Sequence, residues 1–226
     1  IDVTPVESIT SLTLTYPPGT DGTNSSVGQL KVSPDGNKIA MCTATVGTHV
    51  FDFDSQNGTI SNIVQISDRK LDYGVEFSSS GKVLYVASDG GTYVGKLYQY
   101  DMNAMDIGAS EVLIAAEYGL GFALQIAIDG KIYMPDVGAN LHSIDNPDIL
   151  GAGCNFNYRS VDLAGRWARA GLPPFIQSYF YVDLEIKNLC FGDITEFKSS
   201  VVGAITSINW DFGDGNTSTQ ENPTHI

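Results

Sequence analysis

Basic residues are scarce in this chain of 226 residues: 12 Lys and Arg stand against 26 Asp and Glu, for a formal charge of -14. Affinity for a phosphate backbone comes from Lys and Arg displacing counterions, and no run of even three basic residues occurs, so nucleic acid is not an expected partner. Long apolar runs are also missing. The longest, such as Val112 to Ala116, fall far short of the roughly 20 residues a spanning helix needs, so no membrane insertion is expected. Cysteine is sparse: Cys42, Cys154 and Cys190 match no zinc or iron–sulfur spacing, and an odd count leaves at least one thiol free or paired elsewhere. Cys42 lies in a strand-like apolar run and reads as a small buried hydrophobe. Helical periodicity is nearly absent, with Val161 to Ala170 the only stretch that could make a turn or two. No Gly-x-Ser-x-Gly, His-Glu-x-x-His or phosphate-loop motif is present.

What the chain does have is core-forming material and a repeat. With 42% hydrophobic against 17% charged residues it can bury a core. Three segments align on turn glycines: Gly28 to Ala40 on Gly36, Tyr73 to Val86 on Gly81, and Phe122 to Met134 on Gly130. These glycines lie 45 and 49 residues apart, the period of a propeller blade. The first repeat reads as strands over Val27–Val32, Lys38–Thr43, His49–Phe53 and Thr59–Ile66, broken by Ser33-Pro34-Asp35-Gly36, Gly47 and Asp54–Gly58. The second reads as Gly74–Phe77, Val83–Ala87, Gly95–Tyr100 and Glu111–Ala115. The third has Ala123–Ile128, Lys131–Met134 and Leu141–Ile144, and its fourth strand is unclear. The expected class is all-β. Residues 8–15 alternate apolar and hydroxyl side chains like an outer strand of a further blade. About three blades plus one strand do not close a ring of four to eight, so further blades are expected from sequence before Ile1 or from a partner chain.

Around Ser33-Pro34-Asp35-Gly36, Tyr73-Gly74-Val75-Glu76-Phe77-Ser78 and Asp129-Gly130-Lys131-Ile132-Tyr133, the chain resembles the WD-like and lactonase-like propellers of large secreted Bacteroidetes proteins. Asp145 to Phe156, Gly165-Arg166 and Gly171 to Phe180 look like the closing stretch of the same propellers. Propeller sialidases carry Ser-x-Asp-x-Gly-x-x-Trp turns; here Gly36 falls one place early and Ile39 or Ala40 stands where Trp would, which speaks against that activity. The expected propeller part covers 1–176, with repeats at about 27–66, 73–116 and 122–165, and a connector over 177–181.

From 182 to 226 a different pattern appears. Ile208, Trp210 and Phe212 share one face of a strand, and Gly213-Asp214-Gly215 turns it. Trp210-Asp211-Phe212-Gly213-Asp214-Gly215, with Asn222-Pro223-Thr224-His225 after it, resembles the polycystic kidney disease (PKD) domain, an immunoglobulin-like β-sandwich of which about half would be present. Asp211 and Asp214 suggest calcium, but liganding needs several convergent oxygens and the sequence places only two.

The site expectations are modest. His49 and His142 fall on third strands of their repeats, but no Ser, Cys or carboxylate pattern makes either a nucleophile's base, and His225 stands apart. No catalytic, cofactor-binding or metal residue is assigned, and no cofactor is expected. Arg159, Arg166 and Arg169 lie close in sequence and could contact a carboxylate or sulfate; the alternative is that they bridge the last blade to the exit segment. Cys154 and Cys190 flank the domain junction and could form a disulfide in an extracellular protein. The resemblances imply a non-catalytic, secreted or cell-surface adhesion protein, exported by the type IX route, with a protein or glycan ligand. Two alternatives stand: a lactonase-like or glycan-processing enzyme with its active site in other blades, and a subunit of a surface filament assembling through open propeller edges.

Overall fold

The structure, a computed structural model, describes residues 27–89, 94–173, 181–188, 192–202 and 207–226. The chain divides into two units, Ile1–Phe175 and Ile176–Ile226. Among the described residues of the first unit, three sheets of four antiparallel strands follow one another. One holds β1 (Leu30–Val32), β2 (Lys38–Thr43), β3 (Gly47–Asp54) and β4 (Thr59–Ser67). The next holds β5 (Asp72–Phe77), β6 (Val83–Ser88), β7 (Val94–Asp101) and β8 (Val112–Tyr118). The third holds β9 (Gln125–Ile126), β10 (Ile132–Pro135), β11 (Asn140–Ile144) and β12 (Phe156–Asp162). Spatial order equals chain order in every sheet, as in propeller blades, and the all-β class holds.

Each sheet opens with a hairpin built on the repeat glycine. Gly36, Gly81 and Gly130 all take positive φ (72°, 71° and 76°), where a side chain would be strained. Their amides close the turns onto Ser33, Ser78 and Ala127 carbonyls at 2.9, 2.9 and 3.0 Å. The third hairpin is one residue shorter. All three loops close backbone to backbone, Ser33 N to Lys38 O at 2.9 Å, Ser78 N to Val83 O at 2.8 Å and Ala127 N to Lys131 O at 2.8 Å. In the two wider loops the Ser33 and Ser78 hydroxyls also accept the amides of Lys38 and Val83 (2.9 and 3.2 Å), a bond that Ala127 cannot make.

The core lies between blades. β6 is buried along its whole length, and its period-two alternation splits it between two neighbours. Leu84 and Val86 join Val75, Phe77, Tyr98 and Tyr100 against Ala40, Cys42, Val50 and Ile66 of the first blade. Val83, Tyr85 and Ala87 face Leu124, Ile126, Ile132, Met134 and Ile144 of the third. Polar atoms in this wall are paired: the Tyr85 hydroxyl donates to Pro147 O (2.9 Å), and the Gln99 amide donates to the Tyr85 hydroxyl and to Ile149 O (2.7 and 2.9 Å). Gly74 lets β5 approach the third blade, since a Cβ there would lie 2.1 Å from the Phe122 carbonyl oxygen.

Three sequence expectations change or fall elsewhere. The unclear fourth strand of the third repeat is β12, and Val161 to Ala170 makes no helix: Val161 and Asp162 end β12, and Ala164 and Gly165 then take positive φ (52° and 81°), which breaks helical continuation. Helical turns among the described residues are 3-10 turns at Gly108–Ser110 and Gly151–Cys154. The suggested strand over 8–15 lies outside the described residues.

In the second unit, β13 (Tyr181–Lys187) pairs with β14 (Thr195–Val202), which pairs with β17 (Thr224–His225). A separate hairpin joins β15 (Trp210–Asp211) to β16 (Thr217–Ser218) across the Asp-Gly turn. Phe197 meets Trp210 and Phe212 at 5.6 and 5.4 Å between centroids, so these two aromatics do pack on a partner, while the strand expected to carry Ile208, Trp210 and Phe212 is shorter and holds only Trp210 of the three.

Leu84→Ala should cost about 2–5 kcal/mol in urea unfolding, while Leu113→Ala on the exposed outer strand should cost less than about 1 kcal/mol. Gly74→Ala should also destabilise, because its steric partner is backbone and cannot rotate away; equal midpoints for Gly74→Ala and wild type would contradict the close approach.

Candidate functional site

The inner strands β1, β5 and β9 each place one polar side chain five residues before the turn glycine: Lys31, Glu76 and Gln125. These unlike groups meet. Lys31 Nζ donates to Glu76 Oε2 at 2.7 Å and to Gln125 Oε1 at 2.8 Å. Glu76 Oε2 also accepts Ile126 N (3.0 Å), and Oε1 accepts Phe77 N (3.1 Å). Glu76 is fully buried and Lys31 only 14% exposed, so the charges are largely withdrawn from water and compensate each other. Beside them Gln29 Oε1 accepts the amides of Val75 and Leu124 (3.2 and 2.8 Å), and its amide donates to Leu124 O (3.2 Å). Through these bonds the three inner strands are tied side to side.

A second polar cluster joins the first and second blades. Asp72, at the start of β5 and fully buried, accepts Thr48 and Ser67 hydroxyls on Oδ2, both at 2.8 Å. Burial pushes its carboxyl above the usual range, against the pull of those hydroxyls and of Arg69. Arg69 Nε stands 3.5 Å from Asp72 Oδ1, while Nη1 reaches both oxygens of Glu111 at 2.9 and 2.8 Å. The same guanidinium lies 3.6 Å from the Tyr98 ring centroid and donates to the Tyr100 hydroxyl at 2.6 Å. Burial weakens Arg69 as a cation, but Glu111, Tyr100 and Asp72 more than offset this and its pKa rises. Cys42, whose Sγ lies 3.2 Å from Thr48 Oγ1, has its thiol pushed up chiefly by burial, so it is an unreactive packing residue.

The three arginines named from sequence part company. Arg159 Nε pairs with the buried Asp136 at 3.0 Å. Its backbone, at φ 49°, donates N–H to His142 Nδ1 at 3.1 Å. Arg166 and Arg169 are exposed. His49 and His142 do occupy matching places, opposite Met41 and Met134 in their sheets. His142 is buried and stacked on Tyr158 (centroids 4.9 Å apart); burial pushes its pKa down to about 4, against the pull of Asp136. Cys154 is buried against the Tyr85 wall, and Cys190 lies outside the described residues. In the second unit Asp211 accepts Gly213 N at 2.9 Å, and Asp214 accepts Asn216 N at 2.9 Å and meets His225 Nε2 at 3.0 Å. Among the described residues no three His, Cys, Asp or Glu side chains gather as a metal site.

Lys31, Glu76, Gln125 and Asp72 do not appear among the residues singled out from sequence. A signal for the first three exists, the constant offset from the turn glycine. Asp72 and its partners carry none, because Thr48, Ser67 and Asp72 come together only when two sheets stack.

No family model matches the chain, and no curated protein sequence does. Among solved structures, the chain is similar to the PQQ domain of pyranose dehydrogenase from Coprinopsis cinerea, at 12% identity and a TM-score of 0.41, over 54% of this chain and 34% of that one. It is also similar to a protein from Lactobacillus plantarum (16%, TM-score 0.39, 62% of this chain and 42% of that one). A eukaryotic initiation factor follows at 10% and 0.33, over 51% and 28%. The chain thus spans less than half the length of each.

Removing one partner of the inner-strand pair strands a buried charge. Glu76→Gln should cost about 3 kcal/mol, and adding Lys31→Met should recover most of it in a double-mutant cycle. Additive losses would mean the pair is not coupled. His142 gives a pH signature. The unfolded chain takes up its proton near 6.5 and the folded one only near 4, so its contribution is complete above pH 6.5 and fades as pH falls toward 4. The slope should reach at most about 1.4 kcal/mol per pH unit and should flatten in His142→Gln, read by denaturant unfolding at stepped pH.

Proposed function

We propose that this chain is a segment of a non-catalytic, secreted or cell-surface binding protein of the Bacteroidetes kind, with its blades as an interaction platform. In this reading the second unit forms the opening strands of a PKD-type spacer, and export follows the type IX route that the sequence resemblance implies. The observation that carries the reading is the bonding of Lys31, Glu76 and Gln125. Groups at this repeat position are spent on one another and on neighbouring amides. A general acid or base must reach a substrate proton from an open face, whereas these groups act as inter-blade clamps. A stiff frame with exposed connecting loops suits recognition. The aromatic face of Phe197, Trp210 and Phe212 over the Asp-Gly hairpin supports the sandwich reading of the second unit. No cofactor or calcium enters this reading.

The test is retention against turnover. The full chain, immobilised on beads, should retain protein or glycan ligands saturably while leaving lactone and glycoside substrates unchanged. Turnover of either substrate by the full chain would put the enzyme reading in its place.

A further inference from the structure

The segment after β12 is unusual in a chain this acidic. Residues 163–173 hold Arg166 and Arg169 and no acidic residue. The segment is not loose. Leu163 N and Ala168 N donate to Ala139 O and Gly138 O (2.8 and 2.9 Å), and Ala170 O accepts Ala123 N (3.0 Å). It therefore lies along the β10–β11 loop and reaches the start of the inner strand of its own blade. Extended chain alternates its side chains, and here Ala168 and Ala170 are half-buried while Trp167 and Arg169 point out together. Trp167 is 70% exposed, and neither Arg166 nor Arg169 has a hydrogen-bonded or charged side-chain partner among the described residues. The nearby carboxylate of the same loop, Asp136, is already spent on Arg159.

We propose that this strip is a binding site for an anionic saccharide, one bearing carboxylate or sulfate groups. The inference rests on the platform reading and names its ligand class. A flat indole held on pinned backbone offers a stacking surface for the C–H face of a sugar ring. A guanidinium two residues on forks a carboxylate or sulfate with paired N–H donors. Trp and Arg are also the side chains that most often dominate binding energy; the backbone beneath them is pinned by the three bonds above, and the side chains themselves are ordered on binding. The overall charge of -14 opposes a polyanion at long range, so recognition here rests on the short-range stacking and forked contacts of this strip.

The experiment measures binding of the full chain to heparin oligosaccharides and polygalacturonate oligosaccharides, with neutral dextran and polyglutamate as comparisons. Both anionic saccharides should bind and dextran should not, with polyglutamate at least about tenfold weaker. Trp167→Ala and Arg169→Gln should each weaken binding about tenfold, whereas Trp167→Tyr, which keeps an aromatic face, should stay within about threefold. Absence of binding to both saccharides, equal affinity for polyglutamate, or unchanged affinity in both variants would overturn the proposal. If the bead assay still retains other ligands, only this ligand class falls; if retention fails as well, the platform reading falls with it.

Discussion

The contact on which the first unit most depends is the buried meeting of Lys31, Glu76 and Gln125. Sheets stacked through apolar walls can slide, because dispersion and hydrophobic burial are nearly indifferent to register. An ammonium held between a carboxylate and an amide oxygen is not indifferent, since a shift of one residue would leave a charge unpaired in the interior. The Leu84 and Val86 face of β6 and its Val83, Tyr85 and Ala87 face supply the bulk of the attraction. The polar junction selects one alignment among those the apolar faces would tolerate.

The same logic is repeated farther along the strands with different residues. Asp72 is held by Thr48 and Ser67 from the preceding sheet, and Arg69 covers it while gripping Glu111 and the Tyr98 ring. Between the second and third blades the role passes to Gln99 and Tyr85, which bond to carbonyls of the loop after β11. Each interface thus carries its own polar key set in an apolar wall. Identity of residues is not repeated from blade to blade; complementarity is.

That difference explains what could be read from the chain. The hairpins were legible because one glycine per repeat must take positive φ, a local demand that any sequence shows openly. Strands β2, β3, β6 and β7 were legible from their apolar runs. β12 was not: it carries Arg159 at positive φ, and its pairing with β11 shifts register between Leu141 and Ser143, so its alternation is broken. The inner junction hid behind chemistry, since Lys, Glu and Gln look unrelated until they are seen as donor and acceptors for one another. The arginines 159, 166 and 169 were visible as a group, but only the β10–β11 loop decides that the first is neutralised and the other two face outward.

The backbone bonds that pin residues 163–170 also bear on mechanics. A chain that continues into a second unit carries any load applied to that unit back through Pro173 and Gly171. Between that connector and the last strand of the sheet stand three backbone bonds, Ala170–Ala123, Ala168–Gly138 and Leu163–Ala139. They tie the strip at three separate points to the β10–β11 loop and to the approach to β9, so a pull on the connector reaches these bonds along the chain before it reaches β12.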